Sequence, residues 1–417
     1  MNAPIMVSVL CTAYNHEKFL CDALDGILRQ KTNFRYELII HDDASTDKTT
    51  DIIKEYEKKY PEVIVPIYQK ENQYNLTRIY PTYLFPAVRG KYVAFCEGDD
   101  YWTDDEKLQK QFDFMEENEE FSMCFHNAMK LNWETGETCA LDTFPRSGCY
   151  SQEEHIKTGL GNAFPAFASY FIRSEYLKTI PDFFVKSNVL DYPLRQYFSG
   201  KGKIYYMDEI MSVYRISTPQ SYMKKTVTNE TFYNNYVLDM LYFFEQLDKY
   251  TEFRFHAILA EKLASDYYGY CSSIDRQEGM VKAKEKGLDL TVIEEIYDII
   301  DENTLDKEIL ALRDASDRLL IFGTSRLAMI CKRQLDRHNI DFEGFVVSDG
   351  QMKTDSFCGK TVYSISEMMS RFSKPGVILA VQPVNREIVT SNLKRAGIEA
   401  VCAPYEVPGK DKFNENM

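Results

Sequence analysis

The strongest constraint on the fold is an alternation. Short β-rich apolar runs at Ile5–Cys11, Glu37–Ile40, Val63–Tyr68 and Tyr92–Cys96 are separated by segments with a different period. After the first run, Phe19, Leu20, Ala23, Leu24, Ile27 and Leu28 fall on one helical face, and Asn15 is placed to cap it. After the second, Ser45 or Thr46 opens a helix that turns Ile52, Ile53 and Tyr56 inward. A poorly patterned stretch holding Pro81 and Pro86 follows the third, and Asp104–Glu117 reads as a polar helix. Strands alternating with helices predict an α/β fold with a doubly wound, mostly parallel sheet. Ligands in such sheets bind outside the carboxyl ends of the strands, where strand order reverses.

The residues at those ends are polar. Thr12, Ala13, Tyr14 and Asn15 follow the first strand, Asp42 and Asp43 the second, and Glu97, Asp99 and Asp100 the fourth. Crowded carboxylates repel one another and add little to a fold. They do hold hard divalent cations: Mg²⁺ takes one or two protein carboxylates and completes its shell with phosphate oxygens and water. A diphosphate leaving group needs such an ion to offset charge as its bond to carbon breaks. The competing reading makes Asp99 and Asp100 a solvated turn, or a cap for the helix at Asp104. Three polar strand ends converging on one crevice favour the metal.

The chain has 417 residues, more than one ordinary core, which implies two or three domains. Residues 121–227 continue the first domain, with strands at Phe121–Leu131, Phe167–Arg173 and Lys203–Ile216. Residues 228–318 are helical in spacing and form a connector. From 319 a second, smaller α/β unit of Rossmann type begins, so the expected division is 1–227, 228–318 and 319–417. A net charge of −15 argues against nucleic acid as a partner. Ten scattered cysteines without CxxC pairs or zinc spacing read as reduced thiols of a cytoplasmic protein. The N-terminus has no signal-peptide pattern, and no apolar run reaches the ~18 residues of a membrane span. Peripheral association with the inner face of a membrane stays open, as does a homo-oligomer.

Three segments, VSVLCTAYN (Val7–Asn15), HDDASTDKT (His41–Thr49) and GKYVAFCEGDDYW (Gly90–Trp102), occur in order. Together with KLQKQ (Lys107–Gln111) they resemble the successive signatures of family 2 glycosyltransferases with the GT-A fold, over roughly residues 5–220. The resemblance implies a metal-dependent, inverting enzyme that moves a sugar from a nucleotide-diphosphate donor, a UDP-sugar, to a hydroxyl of a saccharide or glycolipid acceptor. Its setting would be polysaccharide or glycoconjugate assembly, and its cofactor Mg²⁺ or Mn²⁺. Thr12, Ala13 and Tyr14 would line the nucleotide pocket, and Asp43 would accept a hydrogen bond from the base. Asp99 and Asp100 would be the DxD-type residues that meet ribose and metal. Glu97 stands where the family usually has Asp, and its longer side chain would move the ribose or metal contact. Arg78 would be a cation near the diphosphate, unless it is a surface arginine.

An inverting transfer commonly uses a carboxylate to take the acceptor's proton. Asn188–Arg215 resembles the region where the family places that base, and Asp191 fits its position. The alternative for Asp191 is a helix N-cap beside Pro193; Asp208 and Glu209 read as turn residues. The segment LLIFGTSRLA (Leu319–Ala328) and residues 319–403 resemble the Rossmann-like unit of some sugar acyltransferases. Gly323 is present there, but Ser325 stands where backbone must approach a pyrophosphate, and Asp349 reads as a turn cap, with a ribose hydroxyl as its alternative partner. The rival to catalysis is a sugar-nucleotide-binding or scaffold protein whose C-terminal domain recruits a partner.

Overall fold

The computed structural model describes residues 3–74, 76–158, 164–187, 189–219, 229–256, 258–259, 276–288, 305–324, 328, 331–332, 335–336, 339–351, 355–381 and 383–402. The chain divides into two compact units, 1–246 and 247–417.

The first unit is built on a ten-stranded mixed sheet. Its strands are β1 (Ile5–Ala13), β2 (Arg35–Asp42), β3 (Ile64–Tyr68), β4 (Tyr92–Phe95) and β5 (Tyr101–Trp102). They continue with β6 (Phe121–Asn132), β7 (Thr138–Ala140), β8 (Gly148–Tyr150), β9 (Phe171–Arg173) and β10 (Lys203–Ile216). The main path runs β3-β2-β1-β4-β9-β6-β10-β5, with β7 paired to β6 and β8 to β10. Strands β3, β2, β1 and β4 are mutually parallel. Strand β9 is antiparallel to β4 and to β6, so the sheet is mostly rather than wholly parallel.

Continuous apolar runs form these strands because helices cover them. Val7, Val9, Leu10 and Cys11 of β1 are all fully buried, as a strand covered on both faces requires. Helix α1 (Leu20–Leu28) buries Leu20, Ala23, Leu24 and Ile27, and helix α2 (Thr49–Lys59) buries Ile53. The register pairs Thr12 with His41 and Leu10 with Phe95. Strand order reverses at β1, which has β2 on one side and β4 on the other.

The helices begin later than the sequence predicts. Asn15 does not cap α1, whose cap position is Phe19. Asn15 has φ 54° and turns its Oδ1 to the Thr46 N–H at 2.8 Å. Ser45 and Thr46 precede α2 instead of opening it. Ser45 donates from N–H and Oγ to Asp42 Oδ1, a local bond that competes with helix. Asp208 and Glu209 are not in a turn: they form a bulge inside β10, where the pairing with β6 shifts between Met207 and Ile210.

In the second unit the strands are β11 (Arg318–Phe322), β12 (Gly344–Val347), β13 (Ser356–Phe357), β14 (Lys360–Ser364), β15 (Pro375–Leu379) and β16 (Val401–Cys402). They lie in the order β13-β14-β12-β11-β15-β16, parallel except for β13 against β14. Alternate residues of β11 feed two cores: Leu319 and Ile321 one, Leu320 and Phe322 the other. Gly323 follows at φ +113°, and a Cβ there would meet the Ala380 carbonyl at 3.0 Å. Ser325 lies outside the described residues. Of the helix expected over Arg326–His338, the described residues 328, 331–332 and 335–336 are helical. Among the described residues, no helix is long and apolar enough to cross a membrane.

Candidate functional site

At the carboxyl end of β1 the chain is held in a bent, costly shape. Asn15 and Ala44, just past β1 and β2, both have positive φ, at 54° and 58°. Asparagine tolerates that region; alanine pays about 1 kcal/mol or more. The bend lets Asp43 N–H donate to the Ala13 carbonyl at 3.0 Å, so the two strand ends are tied together. Asp43 is buried, and its Oδ1 accepts from the Gln73 N–H at 2.7 Å. Tyr14 is half-buried and Ala13 buried on the same edge.

The acidic loop after β4 packs against this edge through Gly98. Its N–H donates to the Thr12 carbonyl at 2.9 Å, and a Cβ there would come within 2.8 Å of His16 Nδ1. That close approach turns Glu97, Asp99 and Asp100 over the end of β1. Asp100 is 1% exposed. Its Oδ1 accepts from the Arg215 N–H at 2.8 Å, while its Oδ2 is buried without a protein partner. Burial, then Asp99 and Glu97, push its carboxyl well above the ordinary range. Burial, then Asp99 and Asp191, push Glu97 up to about 8. These shifts show the carboxylates gathered, with neighbouring acids adding to the rise of Glu97 and of Asp100.

Arg215 clasps the loop. Its Nη1 donates to the Asp99 carbonyl at 2.9 Å, its Nη2 pairs with Asp22 of α1, and its guanidinium lies 4.4 Å over the Tyr101 ring. Thr218 adds a bond from its Oγ1 to Asp99 Oδ2 at 3.3 Å. Trp102 is core: it is fully buried and donates to the Ala168 carbonyl.

A cavity of about 310 Å³ opens beside the loop. Thr12, Arg78, Glu97 and Asp191 line it together, although they come from four distant parts of the chain. Asp191 is the first residue of helix α3 (Asp191–Ser199); the cap position is Leu190, so the carboxylate is not spent as an N-cap. Its Oδ1 accepts from the Tyr192 N–H at 2.8 Å. Burial raises its pKa, against a lowering by that bond and by Arg195. Arg78 is partly engaged: its Nε donates to the Lys186 carbonyl at 2.9 Å, and its Nη2 is 3.9 Å from Asp239 Oδ2. Tyr14, Ala13, Asp43, Asp99 and Asp100 do not line this cavity; they stand along the adjoining strand ends.

Sequence reasoning assigned no role to Tyr214, which also lines the cavity. Burial, then Asp100, Glu97, Asp191 and Asp99, drive its phenol far above its usual pKa. It also missed Arg215 and Thr218. The signal was available: both flank the end of β10, and the strand-end argument applied to β1, β2 and β4 extends to it.

Among the described residues, no three His, Cys, Asp or Glu side chains form a ready-made ion cage. A hard cation does not need one. The bare Asp100 Oδ2 beside Asp99 would supply the one or two carboxylates that Mg²⁺ requires, and a cation there would relieve the crowding that raises Asp100 and Glu97.

The comparisons agree with this reading of the fold. Residues 8–179 match the family described as Glycosyl transferase family 2. An uncharacterized protein of Mycobacterium bovis is 43% identical over 122 residues, 29% of this chain and 34% of its own length. A putative teichuronic acid biosynthesis glycosyltransferase of Bacillus subtilis, TuaG, is 38% identical over 112 residues, 27% of this chain and 42% of its own length. The chain thus spans about a third of the length of the first curated relatives it matches. The crystal structure of S. aureus TarS 1-349 in complex with UDP-GlcNAc superposes with a TM-score of 0.51 at 16% identity, covering 80% of this chain and 92% of that one. The first unit has the GT-A type of fold, and a second sheet domain follows it.

Proposed function

We propose that the chain is a metal-dependent, inverting glycosyltransferase that uses a nucleotide-diphosphate sugar. The observation that carries this is one cavity lined by Asp191 and Glu97 and ending against the Asp99–Asp100 loop. Thr12, Ala13, Tyr14 and Asp43 would hold the nucleoside along the edge of β1 and β2. We take the nucleotide to be UDP, in line with the TarS complex of similar fold. Asp99 and Asp100 would hold Mg²⁺ or Mn²⁺, which when bound supplies positive charge to the diphosphate.

Asp191 would act as general base. The acceptor hydroxyl oxygen attacks the anomeric carbon from the face opposite the diphosphate, its proton passes to an Asp191 carboxylate oxygen, and the C–O bond to phosphate breaks with its electron pair leaving on the diphosphate. A raised pKa suits that duty, because a more basic carboxylate takes the proton more readily. Glu97 would face the donor sugar and ribose. Arg78 would have to leave the Lys186 carbonyl to reach a diphosphate, so we place it second to the metal. The acceptor would be a saccharide or glycolipid in surface-polymer assembly at the cytoplasmic face of a membrane.

The test is turnover of UDP-sugars by the purified chain with Mn²⁺ and with EDTA. The reading expects hydrolysis or transfer only with the cation. Donor binding without turnover against any acceptor would favour a sugar-nucleotide-binding scaffold.

A further inference from the structure

The walls of the cavity carry information about which sugar is moved. Apart from Asp191, Glu97, Arg78 and a few hydroxyls, they are apolar, with Ile79, Phe164, Phe167, Val189, Leu190 and the Tyr214 ring among them. The aromatic part is fixed by its own packing. Phe167 sits 4.4 Å from the Phe95 ring, and Phe164 meets Tyr214 edge-on at 5.6 Å. A volume of about 310 Å³ is at the small end for ligand pockets, which run from about 300 to 1,000 Å³, and suits a single sugar unit.

The charge is one-sided. Two carboxylates face the space, and among the described residues Arg78 is the one cation on its wall. That guanidinium is held by the Lys186 carbonyl and lies beside Asp239. The proposed metal ligands Asp99 and Asp100 are not part of the lining, so a cation held there would serve the diphosphate and not this wall. A carboxylate on the sugar would lose its water, find no unengaged cation and meet the acidic side chains of Asp191 and Glu97 in place of a partner. Both costs are severe in an apolar pocket. An uncharged ring with a methyl-bearing substituent avoids the cost of burying a charge and gains contact with the aromatic wall.

Resting on the transferase reading above, we propose that the transferred sugar is an uncharged hexose carrying an apolar substituent, of the N-acetyl or 6-deoxy type, and that the cavity rejects uronic acids by repulsion. Specificity of this kind comes from a repulsive element as much as from an attractive one.

The experiment is calorimetric titration of the full chain, in Mn²⁺, with UDP, UDP-glucose, UDP-N-acetylglucosamine and UDP-glucuronic acid. UDP-N-acetylglucosamine should bind roughly fourfold or more tighter than UDP-glucose, through its buried methyl. UDP-glucuronic acid should bind at least ~100-fold more weakly than UDP-N-acetylglucosamine, and more weakly than UDP itself. Val189→Lys, which adds a cation to the half-buried wall, should recover tenfold or more of that gap. Circular dichroism and thermal unfolding report that the variant is folded. UDP-glucuronic acid binding as tightly as the neutral sugars would overturn the proposal while leaving the transferase reading intact. Failure of UDP itself to bind would overturn the donor site and this inference with it.

Discussion

Strands β1 and β11 hold equivalent places in their sheets. Each is flanked by parallel neighbours on both sides, and each ends where strand order reverses, the place where open α/β sheets bind ligands. What stands beyond the two ends differs in how its carboxylates are satisfied. Past β12, the neighbour of β11, Asp349 accepts from the Ser366 N–H at 3.0 Å and from its Oγ at 2.7 Å. Those bonds hold its carboxyl below the usual range. Past β4, the neighbour of β1, Asp100 has one N–H and one bare, buried oxygen, and its carboxyl is pushed up. A carboxylate that serves the fold is hydrogen-bonded and easily ionised. A carboxylate left half-satisfied among others is unstable alone, and makes sense when a cation or substrate completes it.

The largest expected effect separates the two ends by chemistry. Asp191→Asn should lower turnover by about a thousandfold, within the 10²–10⁴ that a positioned base contributes, with UDP affinity nearly unchanged. Asp349→Asn should leave turnover alone. The acid limb of the pH–rate profile should lie above the ordinary carboxylate range, because burial raises Asp191 and the base works only when ionised. A profile flat across that range in the parent chain would break the contrast.

A smaller effect concerns the metal and proton together. Glu97 is raised from 4.5 to about 8, so its neutral form is favoured in the fold. Its contribution to stability is therefore fully present below pH ~4.5 and is lost as pH rises towards ~8 in metal-free protein. Mn²⁺ reverses that sense, since it binds ionised carboxylates. The stabilisation it gives should be near zero at pH 5 and grow through pH 8, to about 2.7 kcal/mol at a hundredfold excess over its Kd. Thermal unfolding across that range, with Mn²⁺ and with EDTA, reads it directly; a shift independent of pH would count against metal held by this loop.

The smallest effect is structural. Asp349→Ala leaves the Ser366 N–H, near the start of the helix Ile365–Arg371, without its partner. It should cost about 1 kcal/mol, seen as a modest fall in denaturant midpoint. A loss of nucleotide-sugar turnover would show that the second sheet is more than support.

The sequence made the sheet legible because burial on both faces of β1, β2 and β4 demands continuous apolar runs, and those runs, with that of the edge strand β3, stand where the alternation puts them. It also picked out the carboxylates at the strand ends, and Thr12, Arg78, Glu97 and Asp191 do share one cavity. Helix starts were less visible. Asn15 looks like a cap by type, yet its oxygen serves Thr46 across 31 positions, a contact that no local pattern encodes. The same holds for the Arg215 clasp, which joins Asp22 of α1 to Asp99 and Asp100 of the loop after β4. Tyr214 was hidden because a strand tyrosine reads as core until the cavity beside it is known.

The most direct test of the central claim is the coupling between cation and nucleotide at Asp100. UDP affinity would be measured by calorimetry in Mn²⁺ and in EDTA, for the parent chain and for Asp100→Asn, which keeps an acceptor for the Arg215 N–H. The account predicts that Mn²⁺ tightens UDP binding by about tenfold or more in the parent chain and that the variant loses this gain while staying folded. Equal UDP affinity under all four conditions would contradict it.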